Sequence, residues 1–381
     1  MKKTILGMLL LLTLIISACA NQPITGQITT NQTEQKVVKI GATLALTGQY
    51  AYIGQNELRG MEMAIEEINA RPDNVKFKLI VEDNKGDAIE GATTANKLLN
   101  VDDVDIFFSA FTHITQAAKQ TVFDSGKIMI YASTIPTIAQ ENNYTFRDYY
   151  DYKDHAIALA REIKQENYSD VYIMEEITDP CSLFDANFRN ESERLGIKII
   201  TTTRYETTET DFKTDLLKMN PNKGDAMVLC SIRTEQFIMK QLKELGMIDV
   251  KTFHLTAPFL PAADTPELRE IYEENDAIST WYGFGETSNT KMQSEFIDTY
   301  KEKYGQDPRP DAAYAYDDMH IIAIAISQCN SDVNNKDCVM QKMKSIKYFG
   351  VGGRLEFSDD RLSNREVSLI KVNEGKWQKI N

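Results

Sequence analysis

The chain has 381 residues, of which 56 are acidic and 42 are basic, and its formal net charge at pH 7 is −14. This length exceeds the size at which one hydrophobic core usually keeps growing, so we expect two domains or two lobes. The negative charge disfavours nucleic acid and anionic membrane surfaces as partners, and the sequence has no basic run that would offset it.

The first residues carry the pattern of an export signal. Two lysines precede an apolar run from Ile5 to Ile16, which as a helix would cover about 18 Å of a hydrocarbon core of roughly 30 Å. The residues Ile16-Ser17-Ala18-Cys19 then resemble the lipobox of prokaryotic lipoproteins. We expect a lipoprotein signal peptide at residues 1–18, a lipid anchor on Cys19 and a flexible tether at 19–36. An unmodified Cys19 beside an ordinary cleavage site remains the alternative.

The first α/β unit begins at Val38. Its predicted strands are "VKIGATLAL", "KFKLIVED", "VDIFFSA" and "KIMIYAS". In the helix after the first strand, Leu58, Met61, Ile65 and Ile68 form one apolar face at three- and four-residue spacing. Further helices are predicted near 88–99 and 114–125. Strands separated by single helices indicate a parallel sheet with right-handed crossovers.

The same alternation restarts after "RDYYDYKD" and predicts a second α/β unit. Its predicted strands are "DVYIME", "IKIITTTRYE", "DAMVLCSI", "KTFHLTA" and "AISTWYGF", and its predicted helices lie near 156–165, 183–195, 212–219, 235–245 and 267–272. The C-terminal part of the sequence no longer alternates single strands with single helices. It predicts helices near 292–304, 312–327 and 339–345, followed by short strands around "GRLEF" and "VSLIKV".

The loops after the strands are the predicted binding region, because ligands of open parallel sheets sit beyond the carboxyl ends of the strands. The first of them, "LTGQYAYIG", lacks the lysine and the glycine spacing of phosphate and dinucleotide loops. Tyr50 and Tyr52 instead offer aromatic faces and hydroxyls to a small, partly apolar ligand. Ordinary turn glycines beside two half-buried tyrosines remain the alternative.

Four cysteines follow the tether. Cys329 and Cys338 flank the polar loop "NSDVNNKD" between two helical patterns, and we expect them to form a disulfide. Closing so short a loop stabilises the fold by about 2.5 kcal/mol in the chain-entropy model. Cys181 and Cys230 each lie beside a predicted strand of the second unit, so either a second disulfide or two buried thiols is possible.

The chain from about Val38 onward resembles the extracytoplasmic solute-binding proteins of ABC transporters, in the type I group typified by the leucine/isoleucine/valine-binding protein. The similar segments include "IGATLALTGQYAYIGQNELRGMEMAIEEINA", "IMIYASTIPTI", "YKEKYGQDPRPDAAYAYDDMHIIAIAI" and "FGVGGRLEF". This resemblance implies an α/β fold of two Rossmann-like lobes with parallel sheets flanked by helices, joined by a three-crossing hinge. The lobes would comprise residues 37–153 plus 285–345, and residues 154–284 plus 346–381.

The resemblance also implies where a solute binds. Thr112 stands at the family's hydroxyl that meets the ligand carboxylate, Ala132 and Thr134 match its backbone and hydroxyl contacts, and Tyr50 and Tyr52 lie near its aromatic cover. Helix capping is the alternative role of the two threonines. The cleft loops supply further ligand-binding candidates, which are His113, Ser133, Glu176, Ser231 and Phe259.

The second unit departs from the family pattern. Amino-acid binders usually carry an acidic residue, which pairs with the ligand ammonium, where this chain has Pro258 and Phe259. A buried ammonium needs a carboxylate, which Glu175, Glu176 or Asp179 could supply from another loop. Otherwise the ligand is an aromatic or aliphatic acid or amide rather than an α-amino acid.

The sequence disfavours an enzyme. It has no Gly-x-Ser-x-Gly, His-Glu-x-x-His or Cys-x-x-Cys motif, and its 4 histidines show no metal-ligand spacing. We expect a monomeric, non-enzymatic, membrane-anchored solute-binding lipoprotein that needs no cofactor or metal. It would deliver a small amino acid-like, carboxylate or amide solute to the permease subunits of an ABC importer. A lipid-anchored sensor that reports to a receptor or kinase is the alternative.

Overall fold

The structure is a computed structural model and describes residues 37–72, 75–219, 225–257, 262–287 and 290–380. The predicted signal peptide, the Cys19 anchor, the tether and Phe259 lie outside these residues. Within them, no helix combines the length and the apolar character that a membrane crossing requires.

The first lobe is built on a five-stranded parallel sheet with the strand order β2-β1-β3-β4-β5. Its elements are β1 (Val37–Leu44), α1 (Ala51–Ala70), β2 (Lys76–Asp83), α2 (Ala88–Asn100), β3 (Ile106–Ala110), α3 (Thr112–Ser125), β4 (Ile128–Ala132), α4 (Thr137–Glu141) and β5 (Thr145–Arg147). Alternate residues of the central strands are buried on opposite faces. Phe107 joins the core under α2 and α3, whereas Phe108 joins the core that includes α1. Helices therefore cover both faces, as a parallel sheet requires.

The second lobe is built on a seven-stranded sheet whose order, β14-β13-β10-β9-β8-β6-β7, includes the two C-terminal strands β13 (Ser368–Asn373) and β14 (Lys376–Lys379). Its first elements are α5 (Tyr152–Gln165), β6 (Asp170–Glu176), α6 (Asp179–Leu195), β7 (Lys198–Tyr205), α7 (Lys213–Met219), β8 (Ala226–Cys230), α8 (Glu235–Glu244), β9 (Lys251–His254), α9 (Pro266–Asn275) and β10 (Ile278–Trp281). Strands β6 to β10 pair in parallel, while β13 pairs antiparallel with β10 and β14 pairs antiparallel with β13.

The C-terminal part of the chain, from residue 285 onward, first packs on the first lobe and then adds two strands to the sheet of the second lobe. After a short 3₁₀ helix (Gly285–Thr287) come α10 (Lys291–Tyr304), α11 (Pro310–Ser327), α12 (Lys336–Ser345), β11 (Lys347–Gly350), β12 (Gly353–Glu356), β13 (Ser368–Asn373) and β14 (Lys376–Lys379). Helix α11 packs tightly on α1. A Cβ atom on Gly60 would lie 2.0 Å from the carbonyl oxygen of Ala312, so this helix contact requires glycine.

The predicted fold class is confirmed, since two lobes of largely parallel sheet flanked by helices account for the described chain. One local prediction is wrong: α1 begins at Ala51, so Tyr52 and Gly54 belong to its first turn rather than to a loop. A Cβ atom on Gly54 would lie 2.3 Å from the carbonyl oxygen of Ala45, and glycine therefore lets the helix start against the end of β1.

The hydrogen bonds of residues 361–363 support a proposal for where the first lobe ends. Arg361 donates through Nη2 to the carbonyl oxygen of Ala139 at 2.6 Å, and the Ser363 amide donates to the carbonyl oxygen of Arg147 at 2.8 Å. These contacts tie residues up to 363 to the first sheet. We propose that the third crossing lies at 364–367 instead of near 345, and that the first lobe comprises 37–147 and 291–363.

A buried ion cluster joins the crossings. Arg365, which precedes β13, donates to both carboxylate oxygens of Asp148, which follows β5, and through Nη1 to Asp317 of α11 at 3.2 Å. The Asp317 carboxylate also accepts the amides of Val351 and Gly352, each at 2.9 Å. Burial raises the pKa of Asp317 to about 6, although Arg365 opposes that shift. The first and third crossings are thus fixed to α11 by one guanidinium.

Tyrosine rings surround this cluster. The guanidinium of Arg365 lies 4.1 Å from the ring of Tyr314, and the ring centroids of Tyr150 and Tyr282 are 4.1 Å apart. Tyr150 lies in the first crossing and Tyr282 follows β10 in the second, while Tyr149 and Tyr150 share a hydroxyl hydrogen bond of 2.6 Å. Ring packing therefore connects the first two crossings beside the ion cluster.

Replacing the central cation tests this role. Arg365 is 1% exposed at its side chain, and Arg365→Met would leave Asp148 and Asp317 buried without their counterion. We expect the free energy of unfolding to fall by about 3 to 5 kcal/mol, measured by chemical denaturation. Arg354→Met is the matched control, because its side chain is 51% exposed in a hairpin ion pair worth about 0 to 1 kcal/mol. Equal stability of Arg365→Met and the wild type would contradict the assigned role.

Candidate functional site

A cavity of about 570 Å³ is lined by residues of both lobes. The first lobe contributes the start of α1 and the residues after β3 and β4, and the second contributes the residues after β6 and β8. A second cavity of about 640 Å³ lies within the first lobe, between α1, α10 and α11. Of these two cavities, the first lies at the carboxyl ends of parallel strands from both lobes, so a movement of the lobes would change its shape.

The first-lobe wall presents hydroxyls beside a helix N-terminus. The Oγ1 atoms of Thr112, the first residue of α3, and Thr134, which follows β4, are 3.0 Å apart. The first amides of a helix have no intrahelical acceptor, and the helix dipole places positive charge there. Two hydroxyls and the start of α3 therefore form a site suited to an anion such as a carboxylate.

Phe111 holds α3 at this position through an unusual backbone. Its φ angle is +65° and its ψ angle is 140°, a conformation that costs a residue with a side chain on the order of 1 to 3 kcal/mol. The Phe111 amide donates to the carbonyl oxygen of Ala132 at 2.9 Å, and its ring centroid lies 4.7 Å from that of Tyr50. The strained turn thus joins the ends of β3 and β4 and supports the aromatic wall.

Arg147 supports the loop after β4 from behind. This buried side chain donates through Nε to the carbonyl oxygen of Ser133 at 2.6 Å and through Nη2 to that of Tyr150 at 2.8 Å. The same Nη2 lies 3.4 Å from the carbonyl oxygen of Thr134. The loop that carries Thr134 is therefore connected to the first crossing between the lobes.

Aromatic groups cover another part of the first-lobe wall. The ring of His113 lies 6.1 Å from that of Tyr50, and its Nε2 donates to the carbonyl oxygen of Gly86 at 3.1 Å. The guanidinium of Arg309 lies 5.2 Å from the ring of Tyr52. Burial raises the pKa of Tyr52. These side chains give the cavity an apolar surface with polar edges.

The second-lobe wall comes from the start of α6 and the loop after β8. Thr178, Asp179 and Pro180 line the cavity from α6, and Ile232 and Arg233 line it from the loop. The buried Glu176 carboxylate fixes that loop, since its Oε2 accepts the amides of Ile232 at 2.6 Å and Arg233 at 2.8 Å. Among its described residues, this wall therefore presents one cation, Arg233, and one carboxylate, Asp179, to the cavity.

The described residues contain two disulfides. The predicted Cys329–Cys338 bond is confirmed. Cys181 also pairs with Cys230, which resolves the alternative left open by the sequence. This bond joins the first turn of α6 to the end of β8, the two elements that form the second-lobe wall. A loop of its sequence separation, 49, is worth about 4 kcal/mol in the chain-entropy model.

The structure brings most of the predicted site residues together. Those that line the two-lobe cavity are Tyr50, Tyr52, Thr112, His113, Ala132, Ser133 and Thr134. Glu176 and Ser231 do not line it. They lie behind the wall, where the Ser231 hydroxyl bonds to Thr234 at 2.9 Å and Glu176 binds backbone amides. We assign these two a structural role instead of ligand contact, and Glu175 is likewise engaged, by Arg204 at 2.8 Å.

Sequence reasoning missed several residues of the wall. Glu57, Tyr149, Tyr152, Arg233 and Asp311 all line the cavity. Glu57 lies on a helix and not in a loop, four residues before Met61, so it occupies the apolar face that predicted α1. A carboxylate on that face was the available indication that this part of α1 borders a cavity. Arg233 lies two residues after Ser231, in the loop that supplied that predicted site residue.

Among the described residues, no group of three or more His, Cys, Asp or Glu side chains is arranged to hold a metal ion. A cavity that both lobes line, with two hydroxyls at a helix N-terminus on one wall, is the arrangement of a two-lobed binding protein.

Comparisons with known proteins agree with this class. A sequence profile of the family described as periplasmic binding protein matches residues 37–376, and the chain belongs to that family. The chain is 23% identical over 296 residues to Leu/Ile/Val-binding protein homolog 7 of Brucella abortus (strain 2308), covering 71% of this chain and 72% of the relative.

Two solved structures share the fold. The branched-chain amino acid transporter substrate binding protein LivJ from Streptococcus pneumoniae, in complex with isoleucine, has a TM-score of 0.73 at 22% identity over 91% of this chain and 99% of its own. A solute binding protein of an ABC transporter from Rhodopseudomonas palustris BisB5, in complex with 3,4-dihydroxy benzoic acid, has a TM-score of 0.74 at 18% identity over 90% and 96%. This chain therefore has the type I periplasmic binding protein fold.

Proposed function

We propose that this protein is a membrane-anchored solute-binding lipoprotein of an ABC importer. It captures a small amino acid-like, carboxylate or amide solute in the cavity between its lobes and delivers it to the permease subunits. It acts as a monomer and catalyses no reaction. Family membership implies an extracytoplasmic location, where a lipid on Cys19 would keep the protein at the cell membrane.

The observation that carries this proposal is the anion site of the first lobe. Thr112 and Thr134 place two hydroxyls 3.0 Å apart at the start of α3, in a cavity that the second lobe also lines. A carboxylate would accept hydrogen bonds from both hydroxyls and from free amides of α3. The ligands of the two structural neighbours, isoleucine and 3,4-dihydroxy benzoic acid, differ in their bodies but share a carboxylate.

Capture requires that the ligand favour one arrangement of the lobes. Groups on both walls, among them Thr134 of the first lobe and Asp179 and Arg233 of the second, border the same cavity. A solute bound to the first lobe gains contacts with the second only when the lobes approach, and this difference shifts the open and closed populations. The permease would then receive the closed, loaded form.

A thermal-shift screen tests the proposed capture. Purified protein is heated with standard amino acids, aliphatic and aromatic carboxylates, amides and polyols. A solute at a hundredfold excess over its dissociation constant adds about 2.7 kcal/mol and raises the melting temperature. We expect stabilisation by carboxylate-bearing or amide solutes and a loss of affinity on the order of tenfold in Thr134→Ala, since one hydrogen bond to a charged group is removed.

Thr93→Ala is the matched control for this experiment. The Thr93 hydroxyl is exposed on α2 and donates to the carbonyl oxygen of Ile89 at 2.9 Å, away from the cavity. Polyols as the sole stabilising class, or equal effects of the two alanine variants, would refute the carboxylate site. A bound solute whose cellular uptake does not depend on this protein would favour the sensor over the importer.

The lipid anchor has its own test. Cells that express the full chain are labelled with a radioactive fatty acid, and the protein is recovered from membranes. We expect labelling of the wild type and none in Cys19→Ala, with the variant released from the membrane fraction. An unlabelled wild-type protein would refute the anchor but would leave solute capture unaffected.

A further inference from the structure

One carboxyl oxygen in the cavity wall is buried without a hydrogen-bond partner among the described residues. Glu57 lies on α1, is 3% exposed and lines the two-lobe cavity. Its Oε2 atom has no hydrogen-bond partner among the described residues. Leaving such an acceptor unsatisfied costs about 1 to 3 kcal/mol, and more if it is charged. The side chain is therefore placed where a donor from outside the protein would be favourable.

A second carboxylate borders the same part of the cavity. Asp311, in the first turn of α11, also lines it, and the side chain is 10% exposed. The close contact between Gly60 and Ala312 sets the spacing of α1 and α11, so the backbones that carry Glu57 and Asp311 are fixed relative to each other. Burial and the Asp311 charge raise the pKa of Glu57 well above its ordinary value, as expected for two acids that share one site.

The remaining wall here is aromatic. Tyr52, Tyr149 and Tyr152 line the cavity with the two acids. Burial raises the pKa of Tyr149, and Asp311 and Glu57 are among the groups that raise it further. Phenol rings and neutral hydroxyl oxygens are compatible with a cation, because ring faces and oxygen lone pairs are both negative.

We propose that Glu57 and Asp311 form a cation subsite in the first lobe, which receives a protonated amine of the captured solute. This inference rests on the proposed function and narrows it: the solute is a zwitterion, with a carboxylate at the start of α3 and an ammonium group at Glu57. An ammonium offers up to three donors, so it satisfies the unpartnered Glu57 oxygen. Its positive charge also offsets the repulsion between the two acids.

Two other carboxylates of the cleft are less suited to this task. Asp179 in the second-lobe wall is exposed, so a pair with it would be weakened by solvent. Glu176 already accepts two backbone amides and does not line the cavity. Asp311 itself pairs with Arg309 at 3.1 Å, which leaves Glu57 as the principal acceptor.

Matched probe pairs test the subsite. Isothermal titration calorimetry compares each standard amino acid with its deaminated acid, for example leucine with 4-methylpentanoate and phenylalanine with 3-phenylpropanoate. We expect full-length wild-type protein to bind the amine-bearing member of at least one pair tighter by on the order of 10- to 100-fold. In Glu57→Gln we expect that preference to disappear while affinity for the deaminated acid stays within about threefold.

Glu66→Gln on the same helix is the control, because Glu66 is 67% exposed and pairs with Lys303 outside the cavity. A wild-type preference for the deaminated acids would overturn the subsite while leaving carboxylate capture intact. An equal loss of affinity for both members of a pair in Glu57→Gln would also overturn the subsite. If Glu57→Gln fails to fold, the wild-type comparison still decides. Absence of binding by either member of every pair would overturn the subsite, whereas the proposed function is refuted only if the amides and other carboxylates of the thermal-shift screen also fail to bind.

Discussion

The fold depends on how three chain crossings are held between two sheets. Each lobe has its own sheet, so the geometry of the cleft is set where the chain passes from one lobe to the other. There, Arg365 binds Asp148 after β5 and Asp317 of α11, and tyrosine rings pack around it. A buried cation with two carboxylates adds little net stability compared with apolar residues, but it specifies which segments meet. The two walls of the cavity belong to separate sheets, and these contacts set their position relative to each other.

The crossings between the lobes are connected to the first-lobe wall of the cavity. Arg147, at the end of β5, holds the loop of Ser133 and also contacts Tyr150 of the first crossing. Across the cleft, Glu176 and the Cys181–Cys230 disulfide fix the loop of Arg233 and the start of α6. Each wall is thus held to its own lobe by hydrogen bonds, and the second wall also by a disulfide. Ligand capture can then be a movement about the crossings, with little rearrangement inside either wall.

The sequence was sufficient where local pattern decides the structure. The spacing of Leu58, Met61, Ile65 and Ile68 predicted α1, and strand ends predicted the loops that converge on the cavity. The sequence was insufficient where contacts between residues far apart in the chain decide the structure. The partners Arg365 and Asp148 are 217 residues apart in the chain, so one sequence could not pair them. Glu176, predicted as a ligand contact in a cleft loop, instead ends β6 and accepts backbone amides, whereas Glu57 was missed because attention to loops excludes a helix face.

The most direct test is a crystal structure of the protein with a stabilising solute. We predict that the solute lies between the lobes, with its carboxylate about 2.5 to 3.0 Å from the hydroxyl oxygens of Thr112 and Thr134. A solute found in the first-lobe cavity between α1, α10 and α11, or a carboxylate bound to Arg233 and remote from α3, would contradict the account.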